Sequence, residues 1–262
     1  MQRRFLAGLL TLTALTLVVP ASAQTVTRLP PRQDFRPVEP IEADVESEII
    51  DRTNAFRTEH GQGALTESAA LTAEARDFAA YLARTGGLSH TADGRNAAER
   101  ARAAGYEYCE VAENLASEQD SRDFRDVSVA KDLVDGWENS PSHRHNMLDP
   151  QVVEIGVGVA RAPDGAPKYV AVQVFGRPAT LRFAFKVTNR THLPVSYAFA
   201  GKTGRLEPGT TITQSACAAG LLVFNAPGAA GKAPYPVEPG ALYILQSDAA
   251  GGVQVEILRR GV

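Results

Sequence analysis

The chain is poor in cysteine, in net charge of either sign and in long apolar runs. Its 262 residues carry 27 Lys and Arg against 30 Asp and Glu, a formal net charge of −3. No long block of one sign occurs, which excludes the electrostatic footprint of a nucleic-acid binder or of a protein held on an anionic membrane. Beyond Val19 no stretch is apolar for long enough to span a bilayer. There is no Gly-x-Ser-x-Gly elbow, so the strand–turn–helix nucleophile of that hydrolase class is missing. Only two cysteines occur, Cys109 and Cys217. In an oxidising compartment a lone pair is expected to bond, and a Cys109–Cys217 bond would close a loop of about 110 residues. Free thiols or pairing between molecules are the alternatives.

The compartment is read from the start of the chain. Arg3-Arg4, an apolar run from Phe5 to Val19 and Ala21-Ser22-Ala23 describe a signal peptide, residues 1–23, cleaved after Ala23. The mature protein is therefore expected to be periplasmic or secreted, with no membrane span. Residues 24–43, with Leu29-Pro30-Pro31 and Val38-Glu39-Pro40, read as a Pro-rich linker. The remaining length exceeds one ordinary domain.

From Asp44 the pattern is helical, with Val45, Ile49 and Phe56 on one face and Gly61 to Gly63 as the stop. A second helix follows Thr66, facing inward through Leu71, Ala75, Phe78, Ala79 and Leu82 and ending at Gly86-Gly87. A third spans Asn96 to Ala104. Ser117 to Asp126 is polar and reads as a loop. Val129, Leu133 and Trp137 form another apolar helical face that runs into Ser140-Pro141, where one helix stops and the next starts. His143 falls in the first turn of that new helix, where the helix dipole disfavours a protonated ring. His145, two residues on, faces elsewhere and reads as surface.

After Pro150 the period becomes two. Ile155, Val157 and Val159 alternate, as do Val170, Val172 and Val174, with Pro163-Asp164-Gly165 as the turn of a hairpin. Helices first and a hairpin last predict an α+β domain over 44–177. From Leu181 the runs 182–188, 194–199, 220–225, 241–246 and 253–258 are short and punctuated by Gly, Pro and Asn. They predict a small antiparallel β sandwich or barrel over 181–262. That half holds no His, Asp or Glu cluster, and His192 reads as a solvated loop residue.

Five motifs of the first domain resemble those of the CAP superfamily, the cysteine-rich secretory, antigen 5 and pathogenesis-related proteins, in its bacterial branch. They are Asn54-Ala-Phe-Arg57, Leu88-Ser-His90, Glu113-Asn-Leu-Ala116, Trp137-Glu-Asn-Ser-Pro-Ser-His143-Arg-His-Asn146 and Glu154-Ile-Gly-Val-Gly158. The resemblance covers about Ile49 to Phe175 and implies an α-β-α sandwich. It also implies a cleft of two His and two Glu, of which His90, Glu113 and His143 are present. Ser140 stands where eukaryotic members have the second Glu, and neither Glu138 nor Glu118 occupies that position.

Two imidazoles and one carboxylate are a ligand set for zinc with an open position. With one carboxylate lost, the implied zinc site, held by His90 and His143, is weak and reversible. The implied function is a secreted, non-catalytic binding module for a lipid, a small hydrophobic ligand or a cell-envelope component. The alternative is a metal-dependent hydrolase of extracytoplasmic peptide, ester or glycan. A Ser-His hydrolase through Ser89, Ser140 or Ser142 would lack an obvious third member. A hydrogen-bonded network that merely holds the cleft together is the structural alternative.

Overall fold

Gly156 and Gly158 decide how closely helix and sheet approach in this chain. In the computed structural model, which describes residues 42–119, 126–163, 168–226 and 234–259, the chain begins with α1 (Glu42–Glu59), β1 (Thr66–Glu67), α2 (Ala69–Thr85) and α3 (Ala97–Ala103). Then come β2 (Tyr108–Gln119), α4 (Asp126–Glu138), α5 (Pro141–Met147), β3 (Glu154–Arg161) and β4 (Lys168–Pro178). The order in the sheet is β1-β3-β4-β2, parallel only between β1 and β3.

Alternation along β3 sends Ile155, Val157 and Val159 to one face, where they meet Val45, Ile49 and Phe56 of α1 and Val129, Leu133 and Trp137 of α4. The other face presents Val170, Val172 and Val174 of β4 to Leu71, Ala75, Phe78 and Leu82 of α2. On that face β3 offers Gly156 and Gly158. A Cβ at Gly158 would lie 2.2 Å from the backbone of Ala75 and Arg76, so α2 rests directly on the strand. The first domain is thus an α-β-α sandwich, and Trp137, 1% exposed, belongs to its core.

The helices form where the sequence places them, with small shifts in their ends. α3 starts on a capping box in which Asn96 and Glu99 satisfy each other's backbone N–H. Gly86 ends α2 in the left-handed conformation. Thr66 opens the short strand β1, and the second helix follows from Ala69 with Ser68 in its N-cap position. The loop expected over Ser117 to Asp126 is corrected at both ends, since Ser117 to Gln119 close the strand Tyr108–Gln119 and Asp126 opens α4, and residues 120–125 lie outside the described residues. So do 1–41, on which the signal-peptide and most of the linker readings fall, and most of the 163–165 turn.

After a short 3-10 turn the strands are β5 (Phe183–Asn189), β6 (Val195–Phe199), β7 (Lys202–Leu206), β8 (Thr211–Ala216) and β9 (Leu221–Asn225). β10 (Tyr235–Pro236), β11 (Leu242–Ser247) and β12 (Val253–Leu258) complete the chain. They make two four-stranded sheets, β10-β9-β6-β7 and β12-β11-β5-β8. Phe185, Tyr243 and Leu245 from one sheet share a core with Val195, Phe199, Leu222 and Phe224 from the other, which makes this half a β sandwich. The expectation of a purely antiparallel arrangement fails at one place: β11 runs parallel to β5.

Cys109, at the start of β2, is bonded to Cys217, just after β8. Arg177 braces the same junction, donating from Nε to the Cys217 carbonyl and from Nη1 to that of Gln151 (3.0 Å). Among the described residues no helix is long and apolar enough to cross a membrane.

Candidate functional site

β2 is an edge strand, and its alternation splits two neighbouring polar residues between the two faces of the sheet. Glu113 turns with Leu115 toward the α2–α3 side, and Asn114 turns toward α5. Both are buried, at 6% and 0% exposure. Each needs partners to offset its lost hydration.

Asn114 finds them in a ladder through the core. Its Nδ2 donates to Gln173 Oε1 (3.0 Å) and to the His143 carbonyl (3.2 Å), and Gln173 Nε2 donates to Thr53 Oγ1 (2.8 Å). Asn146 of α5 donates to Asn114 Oδ1 (2.9 Å) and to the Glu113 carbonyl (3.2 Å). From below, buried Arg57 donates to the carbonyls of Met147 (2.6 Å) and Asp149 (3.0 Å), capping the end of α5. A seven-residue helix has little stability of its own. These bonds hold it, and His143 with it, against the sheet edge.

Glu113 faces the turn that carries His90. Its Oε1 lies 2.6 Å from His90 Nδ1, and its Oε2 accepts from Arg100 Nη2. Both carboxylate oxygens are therefore engaged. The Arg100 guanidinium, 3% exposed, also donates from Nε to Glu74 Oε1 (2.7 Å) and from Nη1 to Asp93 Oδ1 (3.2 Å). It lies 3.4 Å from the centroid of the Phe78 ring. A cleft of about 620 Å3 is walled by Glu74, Phe78, Tyr81 and Arg100, and neither His90 nor His143 lines it.

The structure thus brings His90, Glu113 and His143 to one edge of the sheet. The His143 imidazole is held below the ordinary histidine range, first by burial and then by the neighbouring His90. Ser140 occupies the N-cap position of α5, but its side chain makes no capping bond. Ser89 Oγ accepts from the Thr91 amide (3.4 Å). Among the described residues none of Ser89, Ser140 and Ser142 bonds to an imidazole. His145 is exposed, as expected. A zinc here would have His90 and His143 alone, one short of the three protein ligands usual in catalytic centres. Among the described residues no group of three His, Cys, Asp or Glu is arranged to hold a metal.

Arg100 and Glu74 escaped the sequence reading because each is one charged residue on a surface-like helix. The available signal was Arg100 on the inward stripe of α3, beside Ala101. Three carboxyls surround this one guanidinium, and Glu74 is the one displaced upward. Burial, with the charges of Glu113 and Asp93, raises it to about 7 against the pull of Arg100. The folded protein keeps a proton that the unfolded chain releases near pH 4.5, so Glu74 makes stability fall as pH rises from there to about 7. Urea unfolding of wild type and Glu74→Gln at pH 5 and pH 8 tests this. The variant should lose less stability between the two than wild type does, and equal losses would refute it.

An α-β-α sandwich with a His–Glu–His edge defines a class, and comparison with known proteins identifies it. Residues 50–175 match the family described as "CAP: Cysteine-rich secretory protein family", and this half of the chain is a CAP domain. Among solved structures, an extracellular protein containing an SCP domain from Bacillus anthracis is 24% identical, with a TM-score of 0.44 over 52% of this chain and 41% of that one. An outer surface protein from Borrelia burgdorferi is 19% identical, with a TM-score of 0.46 over 55% of this chain and 99% of its own. A cysteine-rich secretory protein from Staphylococcus aureus is 23% identical, with a TM-score of 0.38 over 54% and 41%. The chain thus spans less than half the length of the first and third. No curated protein is significantly similar to the chain.

Proposed function

We propose that the chain is an exported, non-catalytic binding module, and that its cleft holds a small amphipathic ligand of lipid or cell-envelope origin between His90 and His143. The observation that carries this reading is the full engagement of Glu113. With one oxygen on Arg100 and the other on His90, Glu113 is not left free to activate a water, and Ser140 supplies no carboxylate in place of the second Glu. What remains is a pair of imidazoles that offer acceptor nitrogens to a neutral hydroxyl-bearing group. Leu88, an exposed large apolar side chain two residues before His90, suits the apolar part of such a ligand. The signal-like first 23 residues, and relatives described as extracellular or outer-surface proteins, support export.

The metal-dependent hydrolase is the second reading, favoured by the His90–Glu113 pair, which resembles the orienting half of a base. Assays on peptide, ester and glycan panels, with and without added zinc, separate the two. Binding alone predicts no turnover above that of His143→Ala. Turnover that His143→Ala abolishes would establish the enzyme. Divalent metal binding should be weak and should fade as the rings protonate.

A further inference from the structure

His90 sits in a turn with its side chain 57% exposed, and among the described residues its ring makes one hydrogen bond, to Glu113. A ring so exposed would ordinarily rotate and exchange tautomers. What prevents this lies one step behind. The Arg100 guanidinium reaches His90 twice: Nη1 donates to its backbone carbonyl (2.9 Å), and Nη2 donates to the carboxylate that receives its Nδ1. The guanidinium is itself fixed from every side. Glu74 takes Nε, Asp93 and the Arg95 carbonyl (2.8 Å) share Nη1, and the Phe78 ring covers one face. The planar fork is used in all directions, which the ammonium of a lysine cannot reproduce.

We propose that Arg100 is the positioning residue of the His90–His143 site, fixing His90 as the Nδ1–H tautomer so that an unprotonated Nε2 is left to the ligand. The chemistry follows from the acceptor. A carboxylate held by a guanidinium has only lone pairs to offer, so the Nδ1 of a neutral His90 must carry the hydrogen. Nε2 is then an acceptor, which selects a ligand that donates a hydrogen bond, a hydroxyl or amide rather than a carboxylate or phosphate. With the Arg100 side chain 3% exposed and each of its three nitrogens already bonded to a carboxylate or a carbonyl, that cation is shielded from an anionic group. This inference rests on the reading of the cleft as a binding site.

The test is long-range proton–nitrogen NMR on full-length mature protein labelled at histidine, near pH 7.5. Wild-type His90 should appear as one tautomer, protonated at Nδ1. Arg100→Lys and Glu113→Gln should each shift it toward the Nε2–H form, while backbone amide spectra keep the native pattern. A wild-type ring protonated at Nε2, or an Arg100→Lys protein that folds with His90 still wholly Nδ1–H, overturns the proposal. If Arg100→Lys does not fold, the wild-type guanidinium decides. Separate, slowly averaging Nη signals are expected, and a freely rotating group contradicts positioning. None of these readouts needs a ligand, so failure to bind one overturns the functional reading and leaves this assignment standing.

Discussion

Replacing Arg100 with leucine is expected to destabilise the protein by about 3–5 kcal/mol, the usual cost of removing one partner from a buried ion pair. The loss arises because Glu74 and Glu113, each with a side chain 2% exposed, would be left without their cation. For a domain of this size the drop in Tm is roughly 6–20 °C. The size should depend on pH in a defined direction. Glu74, already raised to about 7, can discharge itself by taking up a proton, so the loss should be larger at pH 8 than at pH 5. Adding Glu74→Gln should restore part of the stability at pH 8. A loss below about 1 kcal/mol at both pH values would mean that the pair contributes no more than a surface one.

The disulfide is the second feature with a large expected effect. Cys109 and Cys217 are 108 residues apart in sequence, and chain-entropy estimates for a loop of that length give about 4–5 kcal/mol as an upper guide. Cys109→Ser/Cys217→Ser should therefore unfold at markedly lower denaturant. Calorimetry should also change shape. The buried clusters around α1 and α2 share no residue with the cluster of the sandwich. Once the bond is gone, two transitions are expected where the oxidised protein shows more nearly one. A double variant with unchanged midpoint and a single transition would show that contacts such as Arg177 with Cys217 suffice to join the halves.

Much of the fold was legible because it rests on apolar periodicity. Leu71, Ala75, Phe78 and Leu82 mark α2, and Ile155, Val157 and Val159 mark β3, as packing against a single core requires. β2 was not legible, because the residues that make it useful spoil its alternation. Glu113 and Asn114 stand where an ordinary strand would be apolar or solvated, and they are buried because Arg100, Gln173 and Asn146 await them. β7 and β8 were missed for a different reason. Lys202-Thr-Gly-Arg-Leu206 and Thr211-Ile-Thr-Gln-Ser-Ala216 lie at sheet edges and carry few apolar side chains.

The candidate site divides along the same line. His90, Glu113 and His143 could be chosen from motifs, because those residue types stand out at family-like spacing. The shell that fixes them could not, since Asn114, Gln173 and Thr53 acquire their roles only when four elements meet. The same holds for Glu74 and Arg100, which become a pair when α3 is laid across α2.

The central claim, that the cleft between His90 and His143 holds a small ligand, is tested most directly by native mass spectrometry of protein taken from the exported fraction of its own cells. Wild type should carry added mass that denaturation releases as a discrete hydroxyl- or amide-bearing amphiphile. His90→Ala and His143→Ala, folded by circular dichroism, should carry little or none of it. Wild-type protein at its bare sequence mass, or the same bound species retained in full by both variants, would contradict the account.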